Sequence, residues 1–124
     1  MSKPPRGIVL AHGSLASALV QEAERIGGVI GVLTPVSNAG CDREALGELL
    51  AAALGEGPVV IFADMPCGSC YFAAMHAARE RSDIRVVSGV NLPMLLDFVH
   101  QGALSPQEGA QRAAGKGVEA IRQA

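Results

Sequence analysis

The sequence predicts an α/β fold with three layers, in which helices cover both faces of a mostly parallel four-stranded sheet. Short apolar segments alternate along the chain with longer segments of helical periodicity, and this alternation is typical of strand–helix–strand units. The 124 residues suffice for one domain with its own core, and 49% of them are hydrophobic while only 3% are aromatic. We therefore expect a single domain over residues 1–124 with an aliphatic core, in which residues 1–6 are disordered.

The first strand is predicted over residues 7–11, an apolar run that leads directly to His12. Ser14 belongs to the residue types that cap helices, so the first helix is expected to begin there and to end at the glycines of residues 27–28. The inward face of this helix is expected to consist of residues at helical spacing, namely Leu15, Leu19, Ala23 and Ile26.

A second buried strand is predicted over residues 29–33, and residues 34–41, which include a proline, are expected to form a loop. Asp42 is expected to cap the second helix. The inward face of that helix is expected to consist of Leu46, Leu49, Leu50 and Ala53. Glycine and proline in residues 55–58 end the helix and lead to the next strand.

The third strand is predicted over residues 59–63, and a helix rich in alanine is predicted to follow over residues 69–81. A short fourth strand is expected over residues 85–88. Asn91 opens the next helix, and Ser105, with a proline after it and a glutamate three residues later, predicts the start of the last one. Glycines inside this last helix weaken its prediction.

This alternation predicts the strand order 2-1-3-4, as in flavodoxin-like sheets, with right-handed crossovers. Strands 1 and 3 are neighbours in that order. His12 and Asp64, which directly follow these two strands, should therefore lie side by side at the carboxyl edge of the sheet. Ligands of open parallel sheets bind at this edge, so the pair is the candidate site.

The residue types of the candidate site suggest its chemistry. A carboxylate that accepts the hydrogen of one ring nitrogen leaves the other nitrogen free as a nucleophile, and Asp64 is placed to do this for His12. Two predicted helix N-termini lie beside the pair, near Gly13, Gly68 and Ser69, and their free N–H groups favour a phosphoryl dianion. The combination indicates phosphoryl transfer through a phosphohistidine, while a structural histidine and a capping aspartate stay open as alternatives.

Several segments resemble the IIA domain of the mannose-type sugar phosphotransferase system: residues 7–13, residues 61–64 with 68–69, and residues 89–95. They occur in the order and spacing of that family, and the resemblance extends over nearly the whole chain. It implies that the phosphocarrier protein HPr phosphorylates His12 and that the phosphoryl group then passes to a histidine of a separate IIB protein for sugar uptake. It also implies that neither a cofactor nor a metal takes part.

The resemblance further implies roles for individual residues. The phosphoryl group would be attached to Nε2 of His12 while Asp64 holds Nδ1–H, and Ser69 with the backbone near Gly68 and Gly13 would bind the phosphate. The adjacent rim, where protein partners dock, is expected to contain Met65, Asn91, Pro93 and Met94. The resemblance favours a homodimer, and membrane contact is expected only through the transporter complex.

Composition argues against several other classes of function. The net charge is −2 and the chain has no strongly basic segment, so we expect no nucleic-acid partner. The N-terminus does not have the pattern of a signal peptide, and no apolar segment is long enough to span a bilayer. With three cysteines, an odd number, these features predict a reducing cytoplasm with free thiols.

Three further hypotheses stay open. Cys67 and Cys70 form a C-x-x-C at a predicted helix start, which is typical of thiol redox proteins. A zinc site would use four nitrogen and sulfur ligands, and Cys41, Cys67, Cys70 and His12 are a possible set. A regulatory module that senses phosphorylation would use the same His12 as a sugar-transport component.

Overall fold

The computed structural model describes residues 3–102 and 104–124 and contains a sheet of four strands in the order β2-β1-β3-β4. Every neighbouring pair of strands is parallel. The elements in chain order are β1 (Arg6–Ala11), α1 (Leu15–Gly27), β2 (Leu33–Ser37), α2 (Arg43–Leu54), β3 (Val59–Ala63), α3 (Gly68–Glu80), β4 (Ile84–Ser88), α4 (Leu92–His100) and α5 (Pro106–Glu119). The predicted fold class and strand order are confirmed.

The sheet separates two apolar clusters, so the molecule has three layers. Val9 and Phe62 point to one face, where they pack with α1, α4 and α5, whereas Ile8 and Ile61 point to the other, where they pack with α2 and α3. The two central strands, β1 and β3, are covered on both faces, which is why their sequences are nearly continuous apolar runs. Phe62 also meets Phe98 edge to face, with ring centroids 5.0 Å apart.

The predicted position of the second strand is wrong. Residues 29–33 were expected to form it, but β2 is Leu33–Ser37 and occupies much of the segment expected to be a loop. Ile30 is 82% exposed, so the apolar run before β2 is not a buried strand. Pro35 is tolerated within β2 because β2 lies at the edge of the described sheet, beside β1.

Three predicted helix caps are confirmed. The side chains of Asp42, Asn91 and Ser105 each accept a hydrogen bond from a backbone N–H in the first turn of α2, α4 and α5, respectively. Ser14 occupies the N-cap position of α1, but its side chain makes no capping hydrogen bond. The start of α1 therefore lacks the side-chain cap that the sequence suggested.

Two predicted inward helix faces need correction. In α1 the buried residues are Ala16, Val20 and Ala23, while Leu15 and Ile26, both expected inside, are exposed. In α2 the residues buried against the sheet are Leu46, Leu50 and Leu54, while Leu49 is exposed. The buried stripe of α1 thus consists of two alanines and a valine, and it is rotated relative to the row of large apolar residues in the sequence.

One glycine of α5, Gly117, serves the packing of this helix against α4. A Cβ at Gly117 would lie only 2.6 Å from Cε of Met94, so a larger residue there would collide with α4. Asn91 adds a hydrogen bond from its side-chain nitrogen to the carbonyl of Gly117 at 3.1 Å. Glycine thus lowers the helix propensity of α5 but allows the two helices to approach closely.

The N-terminal segment is more ordered than expected. Arg6, which we expected to be disordered, is the first residue of β1, and its guanidinium donates to the backbone carbonyls of Ala53 and Leu54. Pro5 is buried, whereas residues 1–2 lie outside the described residues. Among the described residues, we find no helix with the length and apolar character that crossing a membrane requires.

Candidate active site

His12 and Asp64 meet where β1 and β3, the two central strands, end. The backbone N–H of His12 donates to Oδ2 of Asp64 at 3.0 Å, and Nδ1 of His12 lies 2.7 Å from the same oxygen. The two strands are hydrogen-bonded neighbours in register, which holds the residues after them close together. The juxtaposition expected from the strand order is therefore present.

The electrostatics of the pair determine which ring nitrogen is free. Burial raises the pKa of Asp64, but hydrogen bonds from the backbone and ring of His12, with the charge of that ring, outweigh it and hold the pKa below its ordinary value of 3.8. The carboxylate is thus ionised at neutral pH and can only accept hydrogen bonds. Nδ1 must then carry the hydrogen, which leaves the lone pair of a neutral His12 ring on Nε2.

The imidazole is accessible while its carboxylate partner is not. The side chain of His12 is 46% exposed, whereas that of Asp64 is 8% exposed. The second carboxylate oxygen of Asp64, Oδ1, is buried and has no hydrogen-bond partner among the described residues. A buried carboxylate therefore holds an exposed ring that a macromolecular partner can reach.

The N-terminus of α3 lies against the reactive edge of the ring. A Cβ at Gly68 would be 3.8 Å from Cε1 and 4.0 Å from Nε2 of His12, so the backbone of Gly68 approaches this edge closely. Gly68 has a φ of +89°, in the region that favours glycine. The first backbone N–H groups of α3 have no partner within the helix and carry a partial positive charge, which suits an anion bound beside Nε2.

Two residues that the sequence analysis did not assign to the site, Ser37 and Asn38, connect its loops. The side-chain oxygen of Asn38 accepts from the N–H of Gly13 at 3.2 Å, and its nitrogen donates to Oγ of Ser69 at 3.1 Å. Ser37 donates from Oγ to the carbonyl of Gly13 at 2.6 Å. They were missed because β2 was placed four residues too early, although two polar residues after Val36 are a usable signal.

The contacts of Asn38 refine the predicted phosphate-binding group. The N–H of Gly13 already donates to Asn38, so Gly13 does not offer that N–H to a ligand in this arrangement. Ser69 is exposed, and its hydroxyl accepts from Asn38, which leaves its own hydrogen available to donate. Ser69 and the backbone at Gly68 remain as donors beside the ring.

A buried thiol completes the surroundings of the ring. Sγ of Cys70 lies 3.9 Å from Nδ1 of His12 and is fully buried. Burial raises the pKa of Cys70, and the negative charge of Asp64 raises it further. The thiol beneath the ring therefore stays protonated at neutral pH.

The zinc ligand set considered from the sequence is not assembled. Within the described part of the chain, His12, Asp64 and Cys70 are the group whose candidate ligand atoms lie within 4.8 Å of one another. Cys41 and Cys67 are not part of this group, and Nδ1 of His12 already bonds to the carboxylate. The four-ligand set of cysteines and histidine is thus not brought together.

The four residues assigned to the docking rim differ in accessibility. Met65 is 45% exposed and Pro93 is also exposed. The side chain of Asn91 is used within the protein, since it accepts from the N–H of Met94 and donates to Gly117. Met94 is 3% exposed, so its assignment to the rim is wrong because its side chain fills the space between α4 and α5.

Comparisons with known proteins extend over most of the chain. A family model described as EIIA-man, PTS system fructose IIA component, matches residues 7–114, where PTS stands for phosphotransferase system. The PTS system sorbose-specific EIIA component of Klebsiella pneumoniae is 35% identical over 106 residues, which cover 82% of this chain and 78% of that protein.

Solved structures match the fold closely. The mannose/sorbose specific IIA subunit of the phosphotransferase system from Enterococcus faecalis has a TM-score of 0.88 at 25% identity, covering 98% of this chain and 95% of that one. The phosphotransferase system component EIIA from Streptococcus agalactiae has a TM-score of 0.86 at 20% identity, covering 95% of each chain, which shows likeness of fold alone.

Proposed function

Because this chain belongs to the fructose/mannose-type IIA components of the phosphotransferase system, we propose that it carries a phosphoryl group on His12. In this proposal the donor is phosphorylated HPr and the acceptor is a histidine of a separate IIB protein. The observation that carries the proposal is the 2.7 Å contact between Asp64 Oδ2 and His12 Nδ1, which leaves Nε2 as the free nucleophile on an exposed ring. The protein then acts as a phosphotransferase component in sugar uptake.

The transfer step follows from this geometry. Nε2 of His12 attacks phosphorus, the new N–P bond forms, and the bond between phosphorus and the donor atom breaks with its electron pair remaining on the donor. The hydrogen on Nδ1 stays in its hydrogen bond to Asp64, whose negative charge balances the positive charge that develops on the ring. Transfer to the IIB protein reverses the same step.

The phosphoryl oxygens are held by the α3 N-terminus. Gly68 and the residues after it supply backbone N–H groups, and the hydroxyl of Ser69 donates a further hydrogen bond. Asn38 is a positioning residue, because it fixes Ser69 and the turn at Gly13 without reaching the ring itself. Preorganised donors of this kind stabilise the charge that spreads over the transferring group.

The proposed partners dock around the exposed ring, where Met65 and Pro93 offer accessible apolar contacts. The proposal includes a homodimer in the cytoplasm and contact with a membrane only through the transporter complex. It requires no cofactor in this domain, because the donor is itself a phosphorylated protein.

The proposal is tested by intact mass after incubation with phosphoenolpyruvate, enzyme I and HPr. The wild-type protein should gain one acid-labile phosphoryl group, and His12→Ala should gain none. His76→Ala is the matched control, because His76 is an exposed histidine on α3 outside the site, and it should be phosphorylated like the wild type. Phosphorylation of folded His12→Ala, or its absence from the wild type, would overturn the proposal.

A further inference from the structure

Two cysteines flank the proposed phosphate-binding turn. Cys67 is the N-cap residue of α3, in extended conformation, and is exposed. Cys70 lies three residues later in the first turn of α3 and is buried. Both are free thiols, and the transfer step proposed above uses neither of them.

Their positions on the helix allow the two sulfurs to meet. The side chain of an N-cap residue turns over the first helical turn toward the third helical residue, as capping hydrogen bonds show. Cys67 and Cys70 occupy these two positions. A C-x-x-C at a helix N-terminus is also the arrangement of thiol–disulfide exchange sites. Since residues at these two positions of a helix start are neighbours, we expect a disulfide between them to need side-chain rotation rather than a change of fold.

The two thiols differ in the way that sequential exchange requires. Cys67 is exposed, so a small disulfide in solution can reach it. Cys70 is fully buried, where burial raises its pKa and the charge of Asp64 adds to that effect. Cys70 is therefore the second thiol to react, after a mixed disulfide has formed on Cys67.

We infer that Cys67 and Cys70 form a thiol–disulfide site, oxidised by low-molecular-weight disulfides, whose redox state controls phosphoryl acceptance at His12. Cys67 as thiolate attacks one sulfur of the small disulfide, and one thiolate leaves. The sulfur of Cys70 then attacks Cys67, its proton passes to solvent, and the second thiolate leaves. Two cysteine thiols are oxidised, one disulfide is reduced, and the two leaving thiolates take up the two protons.

The control of His12, which rests on the proposed function, follows from what the new bond encloses. A ring from Cys67 to Cys70 contains Gly68 and Ser69, and the backbone of Gly68 lies against the edge of the His12 ring. The bond also draws the Cys70 sulfur from its place 3.9 Å from Nδ1. Since a misplacement of about 1 Å can cost about a hundredfold in rate, we expect oxidation to slow phosphoryl acceptance at least about tenfold.

The experiment has two readouts on the full chain. Reduced protein is incubated with oxidised glutathione, the reaction is quenched with an alkylating reagent, and the intact mass of the protein is measured. For the wild type and for Cys41→Ser, we expect the protein mass to fall by two hydrogens and two cysteines to escape alkylation. For Cys67→Ser, we expect neither of these changes. Reduced and oxidised samples are then phosphorylated by HPr, and only proteins with both Cys67 and Cys70 should slow on oxidation and recover with dithiothreitol.

The outcomes separate the inference from the proposed function. An unchanged mass for the wild type, or the same internal disulfide in Cys67→Ser, would overturn the thiol–disulfide site. A disulfide that forms without slowing phosphorylation would overturn the control of His12. The third outcome is a wild type that forms the disulfide on oxidation but is not phosphorylated even when reduced. That result would refute the proposed function and the control of His12 with it. The thiol–disulfide site would still be supported by the mass measurement.

Discussion

One oxygen of Asp64 accepts both hydrogen bonds that His12 directs toward it. The backbone N–H of His12 lies 3.0 Å from Oδ2 and the ring Nδ1 lies 2.7 Å from it. The first contact ties the end of β3 to the end of β1, and the second sets the orientation of the ring. An imidazole that is 46% exposed is thereby fixed relative to the sheet, with Nε2 directed toward the start of α3.

Replacing the carboxylate tests this relationship. We expect Asp64→Asn to slow phosphoryl acceptance from phosphorylated HPr at least about a hundredfold, because the amide neither balances the ring charge nor enforces hydrogen on Nδ1. Rapid-quench kinetics measures this rate. Asp83→Asn is the matched control, since Asp83 pairs with Arg81 outside the site and should keep the wild-type rate. An Asp64→Asn rate close to that of the wild type would contradict the role of the carboxylate.

The same carboxylate makes stability depend on acid. The pKa of Asp64 in the folded protein lies below 3.8, its ordinary value, which we take for the unfolded chain. At pH values between these two pKa values the unfolded chain therefore binds more protons than the folded one. The stabilisation is complete above 3.8 and is lost as pH falls through the folded-state pKa. Urea unfolding between about pH 3 and about pH 6 should show a shallower acid loss for Asp64→Asn than for the wild type. Equal slopes would count against the pair.

Gly68 is expected to tolerate no side chain. Gly68→Ala should lower the free energy of unfolding by about 1–2 kcal/mol, because its φ is +89°. The added Cβ would lie 4.0 Å from Nε2 of His12, in the space where the phosphoryl group would bind, and should slow phosphoryl acceptance. Thermal or urea unfolding and rapid-quench kinetics measure the two effects. Gly115→Ala is the control, because that helical glycine has open space around it. It should raise stability by about 1 kcal/mol without changing the rate. A fully active Gly68→Ala would show that the α3 start is not part of the site.

Asn38 is predicted to act through Ser69 and Gly13. Asn38→Ala removes both of its side-chain hydrogen bonds, so we expect phosphoryl acceptance to slow about tenfold as the donors lose their alignment. The comparison is Asp42→Ala, which removes the cap of α2 on the same connection and should cost about 1 kcal/mol of stability with no change in rate. If both variants slow equally, Asn38 acts through general stability rather than positioning.

The two central strands and the contact between His12 and Asp64 could be predicted from the sequence. β1 and β3 are buried on both faces, so each is an apolar run that ends abruptly in a polar residue, His12 or Asp64. The parallel order follows from the alternation of elements, and it brings the two residues together. Strand β2 was not accessible, because an edge strand with Pro35 is less apolar than the loop before it. That error concealed Asn38.

Two features that the sequence did not predict, the position of Cys70 and the burial of Met94, depend on packing between helices and strands. The contact of Cys70 with His12 is set by how α3 rotates over the end of β1, which a one-dimensional pattern does not report. Met94 looks like an accessible residue at a helix start, yet α5 covers it because Gly117 allows close approach. The surroundings of both residues are set by three-dimensional packing and could not be predicted from the sequence pattern.

The most direct test of the account is ¹⁵N NMR of the His12 ring before and after phosphorylation by HPr. We predict hydrogen on Nδ1 in the free protein and a phosphorus–nitrogen bond at Nε2 in the phosphorylated protein, with Nδ1–H retained. Asp64→Asn should lose the preference for that tautomer. Phosphorylation at Nδ1, or a free ring with its hydrogen on Nε2, would contradict the role assigned to the Asp64–His12 contact.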